Sequence, residues 1–434
     1  MTRLIEEKDI VMDRDDTQDS YIVFALCSIL FIPSLNNFIN CILQIGLNIY
    51  LEFLTPVSYI FMAFCSVFML YKYILRNRSM LALSLFILFG SVVSYFIYPE
   101  IKEMLYAPPV DLVYSPLNTL FYFCIPAMVG IVNIKKYDRF LKSIKSWSRV
   151  TIIIGILAYV FVCLYKGKLM QYMVYSYKML IPICACYMKC DYNKKADVVL
   201  AVLGSLCILA CGARGAVISV LLFLVILCLS LFERNMSPRN IIVGSVVMLV
   251  LLLSIIYYRD IIAFTAGIFE RNGIDSRVIY TIVEGTFLED SGRSDIIDAI
   301  IRAIKDNPLG YGFFGDRYVT AEFGMSGSYY AHNILIEVIC HLGVIIGPIV
   351  LVFFVWRLFQ TITYSRGTSV FKLILILIPF GLFQLFFSSD YLVCPPFFML
   401  IGLTFFGNRE CYRSLLSNEV CHEENNQAFF EFNT

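Results

Sequence analysis

From residue 21 to residue 408 the chain alternates bilayer-length apolar runs with short polar connections, and one long polar stretch, residues 259–330, interrupts that pattern. A helix needs about 20 apolar residues to cross the hydrocarbon core. Runs of that kind predict spans near 21–42, 54–74, 80–98, 117–133, 149–165, 176–190, 196–212, 215–232, 240–258, 333–357, 369–388 and 392–408. The expected fold class is all-α, a polytopic membrane helix bundle of about 12 transmembrane helices with one long, partly helical extracytoplasmic loop. Five segments follow: an N-terminal tail (1–20), nine spans (21–258), the loop (259–332), three spans (333–408) and a C-terminal tail (409–434).

Orientation follows the Lys/Arg bias of short loops. Lys135, Lys136, Arg139, Lys142, Lys145 and Arg149 crowd what reads as one short connection, which this bias places in the cytoplasm. Alternation from that point puts Lys72, Arg76 and Arg78 inside, then Lys189, Lys194 and Lys195, then Arg234 and Arg239. Both tails fall inside and the long loop outside. The loop's seven basic residues do not oppose this, because the bias weakens in loops beyond about 60 residues. Residues 21–75 could hold three crossings instead of two, and odd parity would move the N-terminus outside.

Within the loop, Ile296, Ile297, Ile300, Ile301 and Ile304 recur at helical spacing opposite Asp295, Asp298, Arg302 and Lys305. This predicts an amphipathic helix from Ser294, with Ser294 available as a cap and Asp295 favouring the positive end of the dipole. It stops at Asn307-Pro308, and Gly310 and Gly312 then permit a tight turn. Its Ile-rich face could lie on the membrane or pack on the bundle. Gly310-Tyr311-Gly312-Phe313-Phe314-Gly315 formally matches a dinucleotide fingerprint. That fingerprint works as a strand-to-helix turn, whereas here it follows a helix, so a nucleotide site is not expected.

Composition agrees with the pattern. At 59% hydrophobic residues, 15% charged and a mean hydropathy of +0.77, the chain has more apolar side chain than a soluble surface tolerates. The formal net charge of +1 gives no basic face for nucleic acid. The first twenty residues are dominated by Glu6, Glu7, Asp9, Asp13, Asp15, Asp16 and Asp19, unlike a signal peptide, so the first span is expected to be its own insertion signal. Of fifteen cysteines, thirteen fall between Cys27 and Cys394 in or beside apolar runs, and none lies in the long loop. They read as small buried hydrophobes. Cys184-x-Cys186 and Cys207-x3-Cys211 lack companion histidines, so no metal site is expected there.

Candidate chemistry gathers at the outer face. At Cys211-Gly-Ala-Arg214-Gly-Ala, a charge costly to leave in lipid breaks two apolar runs. Arg214 either marks a turn or, emerging on the same face as the loop, meets a substrate. Six of the loop's seven basic residues are Arg, whose planar fork suits phosphate. His332 precedes an apolar run as one of three histidines, the others being His341 and His422. It is either a polar helix end or a neutral imidazole, kept uncharged by the helix dipole and able to accept a proton. His341, inside the run, reads as a packing or hydrogen-bonding residue.

These residues carry a resemblance. Cys211-Gly-Ala-Arg214-Gly-Ala-Val, then Gly292-Arg293-Ser294 with Asn307-Pro308-Leu309-Gly310-Tyr311-Gly312, then Ala331-His332-Asn333 with Gly343, resemble in order the motifs of the O-antigen polymerase and O-antigen ligase superfamily. Cys211 and Ala213 stand where that family more often has Ser. The resemblance implies a GT-C-like, membrane-embedded glycosyltransferase using undecaprenyl diphosphate-linked saccharide on the outer side of the bacterial cytoplasmic membrane, with no cofactor and no metal. It implies catalytic roles for His332, Arg293 and Arg214: His332 as base on, or positioner of, the acceptor hydroxyl, and the arginines as partners of the diphosphate. Arg317, Asn333, Gly310, Gly312 and Tyr311 are the implied substrate contacts. Asp295, Glu322 and Glu337 stay open as alternative bases, and Tyr311, Phe313, Phe314, Tyr318, Tyr329 and Tyr330 could stack on sugar faces. Expected partners are the lipid-linked saccharide, the bilayer and a chain-length regulator protein, with no nucleic acid. A polymerase is expected, with a ligase acting on lipid A core and a transporter as alternatives. Transport is disfavoured by spans nearly free of charge and without an internal repeat.

Overall fold

The computed structural model describes residues 2–51, 53–98, 115–165, 172–188, 195–211, 213–234, 267, 271, 293–322 and 330–407. Regular structure among them is entirely helical. In chain order the helices are α1 (Thr2–Asn40), α2 (Leu54–Tyr73), α3 (Arg78–Ile97), α4 (Pro116–Val132), α5 (Tyr137–Tyr159), α6 (Tyr172–Lys178), α7 (Leu180–Tyr187), α8 (Lys195–Cys211) and α9 (Arg214–Arg234). The loop region adds α10 (Arg293–Asp306) and α11 (Gly315–Glu322), and α12 (Ile334–Tyr364), α13 (Ser369–Ile378) and α14 (Pro395–Ile401) follow.

Among the described residues, 6 stretches can cross a membrane by length and composition: Asp19–Gly46, Leu54–Tyr73, Arg78–Ile97, Tyr137–Cys163, Ile334–Tyr364 and Ser369–Phe386. Pro116–Val132, Arg214–Ser230 and Pro395–Phe406 are shorter apolar helices. The expected spans near 176–190 and 196–212 coincide with α6–α7 and with α8. The one near 240–258 lies outside the described residues, as do Gly212, Gly292, Tyr329, most of 259–292 and the 409–434 tail. Phe64 and Phe89 are 73% and 71% exposed, and Ile345 and Val352 67% and 69%; such rows of exposed large apolar side chains are tolerable against lipid tails and not in water. The chain is a multi-pass membrane protein.

Hydrogen bonds fix which helix ends lie together. Tyr21 Oη donates to Cys65 O at 2.7 Å, while Asn36 and Asn40 both donate to Thr55 Oγ1, at 3.0 and 2.8 Å. Helices α1 and α2 are therefore antiparallel, two helices within 21–75 and not three. At the opposite end from Thr55, Asp19 accepts from the Lys135 and Lys136 N–H groups at 3.0 and 2.8 Å.

The N-terminal tail is helical, since α1 is continuous from Thr2 through Asn40, and the stretch able to cross a membrane begins at Asp19. Two expectations change. The basic cluster from Lys135 to Arg149 is not one connection: helix α5 starts at Tyr137 and carries most of it. Lys145 is buried inside, donating to Met188 O at 3.1 Å, and Arg149 grips Asp197 at 2.6 and 3.0 Å. Nothing near Arg149 in sequence discloses that counter-ion, which lies 48 residues on. The span expected from 333 is broken at Gly343, whose φ of 81° and ψ of 172° are non-helical.

That break is filled from the loop. Cys340 O and His341 O lose helical donors there and accept instead from the Tyr311 and Gly312 N–H groups at 2.8 and 3.0 Å, while Val344 N–H donates to Pro308 O at 3.0 Å. Backbone meets backbone so closely that a Cβ at Gly310 would lie 2.5 Å from Gly343 N, and one at Gly343 would lie 2.6 Å from Pro308 O. Both glycines also have positive φ, which L side chains resist. In a membrane protein, non-helical backbone persists only where its polar groups are satisfied, and the Pro-Leu-Gly-Tyr-Gly turn does that. The glycine run that formally matched a dinucleotide fingerprint is a splice between loop and span.

Candidate functional site

Helix α10 forms where the isoleucine spacing placed it, starting one residue early at Arg293. Ile296, Ala299, Ile300, Ala303 and Ile304 are buried. This face packs on the bundle side, in a cluster with Val319 of α11, Ala331 and Cys340 of α12. The packing orients α10 so that Arg293 at its start acts on His332: burial first, and then the Arg293 charge, lower the His332 pKa to about 4. His332 sits at a φ of 55°, a conformation costly for a residue with a side chain. Its ring lies 4.0 Å from the Tyr330 ring, and its buried Nδ1 has no hydrogen-bond partner. Asn333 caps α12, its side chain accepting from Leu335 N–H at 2.9 Å. Its side-chain oxygen is thus engaged in the fold.

Beneath His332 is a buried polar layer that sequence reading resolved only in part. Asp316 accepts from Ala331 N–H at 2.9 Å through one oxygen and meets His341 Nε2 at 2.8 Å through the other. His341 Nδ1 meets Tyr391 Oη at 2.9 Å. The chain Tyr391–His341–Asp316 therefore ends on the backbone that presents His332. Burial alone would raise the Asp316 carboxyl, yet His341, Arg317 and the Ala331 N–H together hold it below the ordinary carboxylate range. Arg317 donates to Asp390 at 2.6 Å and lies 5.8 Å from the centre of the Tyr330 ring. Burial works against its charge, but Asp390 and Asp316 outweigh that and raise its pKa. The Arg317 Nε has no acceptor. Glu337 is fully buried; neither oxygen receives a donor, and its neighbour Asp390 could bond to it only if one of the two carboxyls carried a proton.

The remaining sequence candidates divide. Gly310 and Gly312 serve the splice, and Tyr311 Oη donates to Ala303 O at 3.0 Å, tying the turn to α10. Phe313 wedges against Gly90 of α3, Phe314 is fully buried, and Tyr318 stacks on Tyr98 at 4.5 Å. These aromatics hold the loop to the bundle. Asp295 and Glu322 are exposed and Glu337 enclosed. Arg214 opens α9, and the adjoining Gly215 is pressed against Tyr177 and Phe387, where a Cβ would lie 2.2 and 2.8 Å from their atoms. The structure thus brings His332, Arg293, Asp316, Arg317 and Tyr330 together, while Arg214 stands at the head of a neighbouring helix. Sequence reading missed Asp316 and Asp390. The signal available was an acidic residue close to aromatic ones, Phe313, Phe314 and Tyr318 around Asp316 and Phe386, Phe387 and Tyr391 around Asp390, where burial would demand a partner.

Asp316, Glu337 and His341 each place one donor atom within 4.8 Å of the others. Both His341 nitrogens and both Asp316 oxygens already have partners, so this donor set reads as a hydrogen-bonded relay. Residues 199–347 match the model of the O-antigen ligase family. No curated protein matches the chain. The matched segment contains Arg214, Arg293, Asp316, Arg317, His332, Glu337 and His341, whereas Asp390 and Tyr391, which complete the buried layer, come from beyond it. The match supports the O-antigen polymerase and ligase superfamily, and with it a role in polysaccharide assembly.

Proposed function

We propose that this protein is a twelve-span, GT-C-like glycosyltransferase of the bacterial cytoplasmic membrane that polymerises undecaprenyl diphosphate-linked repeat units at its outer face. The observation that carries this reading is the placing of Arg293 beside a half-buried, neutral His332 within the matched residues. A neutral imidazole with an unpartnered Nδ1 can take the proton of an acceptor hydroxyl as that oxygen attacks the anomeric carbon. The leaving group is a lipid diphosphate, whose charge Arg293 and Arg214 neutralise. Attack opposite the leaving group inverts the anomeric centre. Arg317 has one nitrogen committed to Asp390, so its role is mainly to hold the layer under Tyr330 and His332. The same donor chemistry serves a ligase transferring finished polymer to lipid A core, and the description of the matched family favours that second reading. The bilayer and a chain-length regulator protein complete the proposed partners.

The test is glycosyl transfer by purified protein from a synthetic lipid diphosphate saccharide, with and without lipid A core acceptor. Chains of repeat units without the core mean polymerase, and product only with the core means ligase. His332→Ala and Arg293→Ala should each cost about 10²-fold or more in rate while leaving membrane insertion intact. Wild-type rates in both variants would overturn the site.

A further inference from the structure

The φ of 55° at His332 persists in a residue with a Cβ only where the surroundings force it, and both flanking residues are tied down. On the far side Asn333 caps α12. On the near side Ala331, 1% exposed, donates its N–H to Asp316 at 2.9 Å. Asp316 is itself placed by the splice between loop and span. Gly312 N–H donates to His341 O at 3.0 Å, and the Asp316 carboxyl, four residues on, meets Nε2 of the same histidine at 2.8 Å. Gly315 between them is pressed on Tyr311, where a Cβ would lie 2.3 Å from the Tyr311 Cβ. Helix α11 therefore starts hard against the turn, with Asp316 next to the Ala331 backbone.

Asp316 is fully buried, and the adjoining Arg317 gives its hydrogen bond to Asp390 at 2.6 Å. An ionised carboxylate only accepts, so both of its partners must donate: Ala331 N–H to one oxygen and His341 Nε2–H to the other. A neutral His341 then accepts at Nδ1 from the Tyr391 hydroxyl, 2.9 Å away. We propose that Asp316 is a positioning residue for His332: braced by His341 and Tyr391, it holds the Ala331 N–H, and with it the strained backbone that keeps the His332 ring half-buried beside Tyr330. The anchor rests on this geometry, and its bearing on rate rests on the glycosyl-transfer reading above. Direct electrostatic support of an imidazolium by the carboxylate predicts an effect of opposite sign. Burial and the charges of Arg293 and Arg317 lower the His332 pKa to about 4, while the Asp316 charge works against them. Loss of that charge alone would take the pKa lower still. Loss of the anchor would release the ring to water and raise it towards the ordinary value of about 6.5.

The test reads His332 itself. The chain has three histidines, so isotope labelling of the imidazoles in the full-length protein in nanodiscs gives three NMR signals, and the one absent from His332→Ala belongs to His332. In Asp316→Ala its titration should move up from about 4 by about two units. Asp316→Asn keeps the shape of the side chain and an oxygen for the Ala331 N–H but not the charge, and there the titration should stay at or below about 4. An unchanged or lowered titration in Asp316→Ala would overturn the anchor. So would a raised one in Asp316→Asn, whose unaltered shape guards against misfolding. In the transfer assay, Asp316→Ala should lower kcat about 10²-fold with KM within about twofold. Added to His332→Ala, it should cost less than about twofold more, because a residue that acts only through His332 has nothing left to position. Losses that multiply would mean that Asp316 acts elsewhere and would overturn its role. A raised His332 titration in Asp316→Ala with an unchanged transfer rate would uphold the anchor and refute His332 as the base.

Discussion

Two buried ionic clusters close the two ends of this helix bundle, and they are built to different standards. At one end Lys145, Arg149 and Asp197 leave nothing over: both Asp197 oxygens are taken by Arg149 at 2.6 and 3.0 Å, Lys145 stands 3.4 Å from the same carboxylate, and its amine also reaches Met188 O. At the other end the layer of Asp316, Arg317, Glu337, His341 and Asp390 is only partly closed. Both Glu337 oxygens, Arg317 Nε and, just above them, His332 Nδ1 are buried without partners. Buried polar atoms are nearly always satisfied, so such a concentration needs a cause. The closed cluster is a staple between α5 and α8. The open one lies mostly within the matched residues 199–347, with Asp390 added from beyond them, and unspent hydrogen-bonding capacity is what a substrate would use.

The largest expected effect tests the staple. Asp197→Ala would strand two cations, one of them buried, and breaking such a pair from one side costs about 3–5 kcal/mol. Folded yield in detergent should fall sharply while transfer per folded molecule stays at the wild-type value. Glu337→Gln breaks no hydrogen bond and should leave yield within about twofold, since surplus buried carboxylate is itself costly. Equal losses of yield in both variants would erase the distinction between the two ends.

How much of this was legible follows the range of each interaction. Helix α10 was readable because its signal is local: isoleucines three and four apart, a proline stop and a glycine turn. The candidates His332 and Arg293 were nominated by motif and polarity, which are also local. Tertiary partners were not. Lys145 looked like a loop cation because Asp197 is 52 residues away, and His341 looked like one more residue of an apolar span because Asp316 and Tyr391 flank it from other segments. The helix break at Gly343 was equally hidden. A glycine in an apolar run is ordinary, and only the Pro308–Gly312 backbone packed against it makes it a break.

A middle-sized effect concerns pH at the open end. With burial and Arg293 lowering the His332 pKa to about 4, the imidazole is already neutral well below neutrality. A rate that needs the neutral form should hold above about pH 5 and fall as pH drops through about 4. An imidazole of ordinary pKa, about 6.5, would keep only about 3% of the neutral form at pH 5. The acid limb of kcat/KM measures this directly, and a limb near 6.5 would mean that His332 is solvated, or that another group is the base.

The smallest effect decides where the open site stops. Tyr311 was expected to touch substrate, yet its hydroxyl donates to Ala303 O at 3.0 Å and its N–H fills the break at Cys340 O. If the turn is scaffold, Tyr311→Phe removes one hydrogen bond worth about 1 kcal/mol and lowers the melting temperature slightly, with KM for the lipid-linked saccharide unchanged. If the hydroxyl also binds sugar, KM rises several-fold while stability changes just as little. A raised KM would extend the substrate region from His332 onto the turn that splices loop to span; an unchanged one would leave the whole Pro308–Gly312 segment to the fold.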